Sequence, residues 1–371
     1  MIFGSFVSRL ADLLAEYSTS IRGGDEVLFT STYEAVPLAA EAVRAIVQRG
    51  GYPIVILSDE VISEFFYRYA PKEVLEYVPK VQKFIAENID VQISALSSTH
   101  TKHLASISPE KLRLASAARR ELTEIFMKRS AEGSLRWVVT AYPTKALAQE
   151  AGMSFFDYAE FVFKALKVDR ENPVEEWRKQ ANMQDKIARF LEKVSELRFV
   201  GPEMDITFRV EGRKWINDDG KHNMPGGEVF TAPLEEGVEG FIKFTYPAVW
   251  RGREVEGVRL KFKGGVVVEA AAEKGEDFLK KMLEVDEGAK RVGELAFGLN
   301  YSISRFTKNV LFDEKIGGTM HMALGAAYPE CGGKNVSSIH WDMVRDLRGA
   351  KVYADGDVVY EDGKFVLEVI S

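Results

Sequence analysis

Three of the five histidines lie between residues 220 and 345, in short segments that also carry carboxylates. In "SSIHWDMV", residues 337–344, His340 and Asp342 are two apart, and Ile339, Trp341 and Met343 alternate with them. A β-strand would send the three apolar side chains to one face and the imidazole and carboxylate to the other. "IGGTMHMALGAAYP" repeats the pattern: Met320, Met322 and Leu324 alternate with Thr319, His321 and Ala323, and Tyr328 follows. Glu228 comes after a Pro-Gly-Gly turn in "KHNMPGGEVFTAP", and Glu294 stands between two glycines in "RVGELAFG". Imidazoles and carboxylates without thiolates are the ligand chemistry of Zn²⁺, Co²⁺ or Mn²⁺, whereas an all-oxygen Ca²⁺ site has no use for two histidines. Charge balance favours a pair of ions. Three carboxylates and one hydroxide neutralise two divalent cations, but a single ion leaves a negative pocket that is costly to bury. A neutral two-metal hydroxide is a hydrolytic nucleophile. Taken singly, each of these residues is more often a surface group or a hydrogen-bonded core group, so the reading rests on their gathering in one domain.

Other reactive groups compete for attention. Glu314 and Lys315, beside the His321 segment, are candidates for a base or an oxyanion partner, although such residues are more often solvated or ion-paired. Cys331 with His340 has the composition of a thiol protease pair, but nothing in the sequence orients the two. His100 and His103 are three apart, and an i, i+3 pair alone is a weak metal signal. Neither H-E-x-x-H nor G-x-S-x-G occurs, which removes the commonest zincin and α/β-hydrolase arrangements. The phosphate-loop patterns G-x-G-x-x-G and G-x-x-x-x-G-K-[ST] are absent too, and Gly23-Gly24 and Gly50-Gly51 precede strands where a phosphate loop would follow one.

The elements that must position these groups fall into two domains, as 371 residues suggest. Residues 1–200 alternate short β-type runs, "EVLFTS", "YPIVILSD", "VQISAL" and "LRWVVT", with long helical patterns such as "YEAVPLAAEAVRAIVQR". This is βαβ grammar and predicts an α/β amino-terminal domain with a mainly parallel sheet. The grammar changes near Gly201-Pro202, where Ile206, Phe208 and Val210 begin to alternate, and the domain boundary is expected there. Downstream, "VRLKFKGGVVVEA" reads as a hairpin, Asp355-Gly356 and Asp362-Gly363 mark tight turns, and "GEDFLKKMLEV" interrupts as a helix. Residues 201–371 are therefore expected to form an α+β metal-binding domain with mostly antiparallel strands.

Composition narrows the partners. With 49 Lys+Arg against 56 Asp+Glu the net charge is −7, and no basic block of the nucleic-acid kind appears. The first residues carry Phe3, Phe6, Val7, Leu10, Leu13, Leu14 and Tyr17 at helical spacing and read as an amphipathic helix rather than a signal peptide. No run approaches 18 apolar residues, so no membrane span is expected. A single cysteine, Cys331, excludes an internal disulfide and fits a reducing cytoplasm. Few Cys, six Gln and eight Asn beside abundant Glu, Lys and Arg point towards a heat-adapted protein.

"NMPGGEVFTAP", "RFTKNVLFDEKIGGTMHMALGAAYP" and "IHWDMV" resemble the signature segments of peptidase family M29, the thermophilic metalloaminopeptidases of the aminopeptidase T and aminopeptidase S type. The likeness in order and length extends over essentially the whole chain. It implies Glu228, Glu294, His321, Tyr328, His340 and Asp342 as metal-binding positions; Tyr328 is a candidate catalytic group that would either contact the metals, the favoured role, or donate its hydroxyl to an oxyanion. It further implies two divalent metal ions per chain, peptide substrates with a free amino terminus, and a homodimer enclosing its active sites. Gly226-Gly227 departs from the family, which often has an acidic residue before the glycine, and the stretch from Tyr328 to Ser337 is short. These departures bear on the rim of the site and leave the ligands in place. Two rivals stay open at this level, a noncatalytic metal- or peptide-binding protein and another dinuclear hydrolase such as an amidase or phosphoesterase. A phosphoesterase would add cations, and only Lys308 and Lys315 lie near the motifs.

Overall fold

The structure, a computed structural model, describes residues 3–366. It divides into two compact units, one running to Glu176 and taking in Gly220–Pro225, the other comprising Trp177–Asp219 and the chain from Gly226 onward.

The first unit is built on a five-stranded sheet in the order Tyr52–Ser58, Glu26–Thr32, Val91–Leu96, Arg136–Ala141, Asn223–Met224, with every pairing parallel. Its central strands bury Val27, Phe29, Val91, Ile93 and Val138, as β-branched and aromatic runs covered by helices should. The N-terminal helix Gly4–Leu13 buries Val7, Leu10, Ala11 and Leu13, the stripe its spacing predicts. The edge strand Tyr52–Ser58 behaves differently: Tyr52, Ile54, Val55, Ile56 and Leu57 are all exposed, and the helices Glu60–Tyr69 and Lys80–Asn88 bury no residue. No described helix is long and apolar enough to cross a membrane.

The second unit contains two larger antiparallel sheets. One has eight strands and includes the hairpin Arg259–Lys263/Val266–Ala271 around Gly264-Gly265 and the turns at Asp355-Gly356 and Asp362-Gly363. The other has five strands in the order His340–Asp346, Thr319–Gly325, Val292–Gly298, Glu228–Thr231, Ile216–Asp218. One apolar cluster joins the two sheets, taking Phe199 and Phe208 from the first and Leu295, Phe297, Met320, Met322, Trp341 and Met343 from the second. The helix Glu276–Leu283 packs against the same cluster through Leu279, Met282 and Leu283.

The chain passes from the first unit to the second at Glu176–Trp177, upstream of the boundary expected near residue 200. Gly201 ends one strand and Pro202-Glu203 form the turn of a hairpin between Glu196–Gly201 and Met204–Arg209, two paired strands of one sheet. The helix Pro173–Leu191 belongs mainly with the second unit because Ile187, Ala188 and Leu191 enter its core. A change from helical to alternating pattern marks the end of that helix, and the change of core comes earlier.

Two glycines hold the five-stranded sheet to its neighbours. A Cβ on Gly298 would lie 2.3 Å from the Ile316 carbonyl oxygen, and one on Gly325, whose φ is +108°, would lie 2.1 Å from that of Ile339. Gly325→Ala is expected to destabilise the protein by roughly 2–4 kcal/mol, combining strained φ with backbone overlap. Chemical denaturation of the variant beside the parent checks this, and an unchanged midpoint would show that the sheet edge yields freely.

Candidate metal centre

The register of the five-stranded sheet explains why separate segments converge. Glu294 lies opposite Ala323, and Ala323 lies opposite Asp342, so the three occupy one row and one face across three strands. Two residues along, Ala296 lies opposite His321; further along, Gly298 lies opposite Glu228, while Gly325 faces His340. The polar side chains are therefore interleaved with alanine and glycine, which leave room above the sheet for long side chains to lean together. The opposite face carries Leu295, Phe297, Met320, Met322, Leu324, Trp341 and Met343 and is core. A register shift between Val292 and Glu294 marks a bulge beside the carboxylate.

Glu228 is set by the turn before it. Gly227 has φ +122°, and a Cβ there would come within 2.5 Å of the Asn300 Cβ, so the close approach of these segments requires glycine. Leu299 N donates to the Gly227 carbonyl at 2.7 Å, and the Gln184 amide donates to the Glu228 carbonyl at 2.9 Å. Glu228 is thereby held on the sheet's polar face, almost fully buried.

Each imidazole is oriented from behind. His321 Nδ1–H donates to the Glu314 carbonyl at 3.0 Å and His340 Nδ1–H to the Ala326 carbonyl at 2.8 Å, because a carbonyl can only accept. Both Nε2 atoms therefore face the carboxylates. His321 Nε2 lies 3.4 Å from Glu228 Oε2 and 3.5 Å from Glu294 Oε1; His340 Nε2 lies 2.9 Å from Glu294 Oε2 and 3.6 Å from Asp342 Oδ1. Glu228 Oε2, His321 Nε2 and Asp342 Oδ1 are buried and have no hydrogen-bond partner. Bonds of about 2.0–2.2 Å to a tetrahedral ion place neighbouring donors roughly 3.3–3.6 Å apart, so most of these separations suit an ion between the atoms. The donor set fits one or more divalent N/O-liganded metals. Two triads of donors, Glu228 with Glu314 and His321, and Glu294 with His321 and Asp342, have their ligand atoms within 4.8 Å of one another.

The pocket's charge points the same way. Burial raises the Glu294 carboxyl, yet the facing imidazoles of His321 and His340, the latter hydrogen-bonded to it at 2.9 Å, outweigh that and hold the group down at about 2. Burial would lower both imidazoles, but Glu294 and Glu228 carry His321 up to about 10, and Glu294 and Asp342 carry His340 up to about 9. Burial also raises Asp342, despite the attraction of His340. Positive charge between ring and carboxylate is strongly favoured, and a cation satisfies that demand as a proton does.

Tyr328 stands at the more exposed side, its ring edge-on to His340 at 5.0 Å and 5.3 Å from Phe230. Burial and the surrounding carboxylates push its phenol far above the usual range, so it remains a hydroxyl donor at neutral pH. Lys315 is ion-paired and fully buried, 3.2 Å from Glu228 Oε1, 3.2 Å from Glu314 Oε2 and 3.6 Å from Asp218 Oδ2. Sequence reasoning did not single out Asp218, since nothing in "INDDG" separates it from a turn residue, nor Gln184, which reads as one more polar position on a helix. Cys331 is buried and its thiol is pushed up to about 12 by that burial, while both ring nitrogens of His340 are engaged elsewhere, so no thiol–imidazole couple forms. His100 and His103 lie in an exposed turn, with His103 Nδ1 bonded to the His100 carbonyl, and among the described residues neither belongs to a donor triad.

Fold and donors together describe a metal-dependent protein, and comparison with known proteins gives its kind. The chain belongs to the thermophilic metalloprotease family M29, whose sequence model matches residues 4–365. It is thus a hydrolase of peptide bonds. It is 29% identical to aminopeptidase T of Thermus aquaticus, covering 97% of this chain and 96% of the relative, and 28% identical to aminopeptidase 2 of Geobacillus stearothermophilus, covering 96% and 95%. The solved structure of wild-type AmpT from Thermus thermophilus superposes with a TM-score of 0.86 at 26% identity, over 98% of this chain and all of that one. The α/β and antiparallel architecture expected from sequence is that of this relative.

The approach to the His340 strand hangs on one carboxylate. Asp286 accepts from Ser338 N, Ser338 Oγ and Ser337 Oγ at 2.7 Å each and from Ala289 N at 2.9 Å, and the Ser338 bonds lead in holding it at about 2. Its folded value lies below the roughly 3.9 of an unfolded Asp, so its contribution is fully present above about pH 4 and is lost as pH falls towards 2. The melting-temperature gap between the parent and Asp286→Ala should accordingly be widest near pH 5 to 6 and narrow on acidification. A gap that does not change with pH would refute the ionic origin.

Proposed function

We propose that this chain is a metalloaminopeptidase that removes the amino-terminal residue from peptides at a centre of two divalent ions, Zn²⁺, Co²⁺ or Mn²⁺, in its second unit. The observation that carries the reading is the placement of Glu294, whose Oε1 faces His321 Nε2 at 3.5 Å and whose Oε2 faces His340 Nε2 at 2.9 Å. A carboxylate split between two imidazoles would serve one ion with each oxygen. Glu228 and His321 with Glu294 Oε1 make the first; His340 and Asp342 with Glu294 Oε2 make the second. Ions held there would supply Lewis acidity towards the peptide carbonyl and a water acidified to near neutrality.

The chain's own groups do the rest. The carbonyls of Glu314 and Ala326 fix the imidazole tautomers, a service that supporting partners of metal-binding histidines commonly provide. Glu314, which lies in the triad around His321 with its Oε2 3.2 Å from Lys315 Nζ, is the proton acceptor we assign, and Tyr328 donates its hydroxyl towards the developing oxyanion. The names of the relatives support a peptide with a free α-amine as the substrate. The net charge of −7 supports peptides rather than nucleic acid as partners, and the single free cysteine supports a reducing, cytoplasmic setting.

We also propose a homodimer. The support is the edge strand Tyr52–Ser58, which has no charged residue and leaves its apolar side chains exposed, an edge that proteins ordinarily protect. Ile56→Lys should shift the protein from dimer to monomer in light scattering; a monomeric parent, or a variant that remains dimeric through this strand, would count against the assignment.

Activity is tested on an aminoacyl anilide and on matched peptides. The metal-loaded protein should cleave a peptide with a free amine and leave its amino-acetylated twin intact, and chelation should abolish turnover until metal is restored. Asp342→Asn should lower activity by at least about 100-fold with a nearly unchanged melting temperature, because the loss falls on the metal and not on the apolar face of the strand. Equal cleavage of both peptides would indicate an amidase or endopeptidase, and metal binding without turnover a binding protein.

A further inference from the structure

The two positions flanking Glu294 differ in one respect that their donor atoms do not reveal. Beside the first position, and fully buried, stands Lys315. Its Nζ lies 3.2 Å from Glu228 Oε1, the oxygen of the same carboxylate whose Oε2 faces His321. It also lies 3.2 Å from Glu314 Oε2, another member of the triad around His321. The chain supports it there: its amide donates to the Phe312 carbonyl and its own carbonyl accepts from Asn300 N, both at 3.0 Å. The second position is built from His340 and Asp342 on the outermost strand of the sheet, and among the described residues neither is within ion-pair distance of Lys315.

We infer that Lys315 is a resident cation that makes the two metal positions unequal, weakening the one at Glu228 and His321 relative to the one at His340 and Asp342. This rests on the two-ion reading above. Two physical effects act in the same direction. The ammonium repels a divalent ion held at Glu228, in surroundings from which water is largely excluded and screening is weak. It also occupies Glu228 Oε1, so that this carboxylate offers the ion one oxygen where it would otherwise offer two. Lys315 is thus a positioning residue that acts through Glu228 and Glu314. It sets the order of loading: the His340 side fills first, and the Glu228 side fills only at higher free metal.

The test is a Zn²⁺ titration of metal-stripped full-length protein, followed by calorimetry and by metal analysis after equilibrium dialysis. The parent should bind two ions with affinities at least tenfold apart. Lys315→Met should tighten the weaker ion at least tenfold and leave the tighter one within about threefold, an effect that a merely structural role for the lysine would not produce. Unchanged or weaker binding of that ion would overturn the inference while leaving the two-ion reading intact. If Lys315→Met does not fold, His340→Ala decides: it removes a donor of the tight position, so the surviving ion should keep the weak affinity of the parent. Survival of the tight affinity would place it at Glu228 and overturn the inference. A parent that binds fewer than two ions would overturn the two-ion reading and this inference with it.

Discussion

The gathering of carboxylates in a nearly water-free pocket is the constraint on which the second unit depends. Glu228 and Glu294 are almost fully buried and lie beside Asp342 and Glu314, groups that would repel one another and lose their hydration. Such a set persists only if positive charge is supplied between its members. The pocket has three sources of it: the imidazoles of His321 and His340, the ammonium of Lys315, and the divalent ions proposed here. The sheet register, the small residues at Ala296, Ala323, Gly298 and Gly325, and the clasped turn at Gly226-Gly227 all keep these charges at ligand spacing. Relaxing any of them lets the carboxylates separate or take up protons.

The support for this arrangement is built by alternation. Each strand of the site presents one polar and one apolar face, so the residues that bind also determine where the core lies. Trp341 and Met343 anchor the strand that carries His340 and Asp342, and Met320, Met322 and Leu324 do the same for His321. A substitution on the polar face therefore acts mainly on charge and ligation, and one on the apolar face acts on stability. The eight-stranded sheet closes the core from the other side, with Phe199 stacked on Phe297 at 5.5 Å.

Much of this was legible in the sequence because period-2 alternation is a local property. "IHWDMV" and "TMHMALG" identify their own polar residues, and the parallel strands of the first unit are recognisable as short β-branched runs between amphipathic helices. Pairing is not local. That Glu294 falls opposite Ala323, and thus beside Asp342, depends on a register and a bulge that no single segment encodes. The burial of Lys315 was hidden for a similar reason: in "FDEKIGG" it is one charge in a polar run, and only the return of Asp218 and Glu228 from distant segments encloses it. The unit boundary was displaced because a helix's periodicity shows that it is amphipathic and does not show which core it enters.

On the proposed reading, Glu294 would serve two ions, one beside each imidazole. Anomalous diffraction collected across the zinc absorption edge from crystals grown with Zn²⁺ tests it most directly. Two anomalous peaks are expected, one among Glu228, His321 and Glu294 Oε1 and the other among Glu294 Oε2, His340 and Asp342. A single peak with Glu294 bound through one oxygen, or peaks away from this carboxylate, would contradict it.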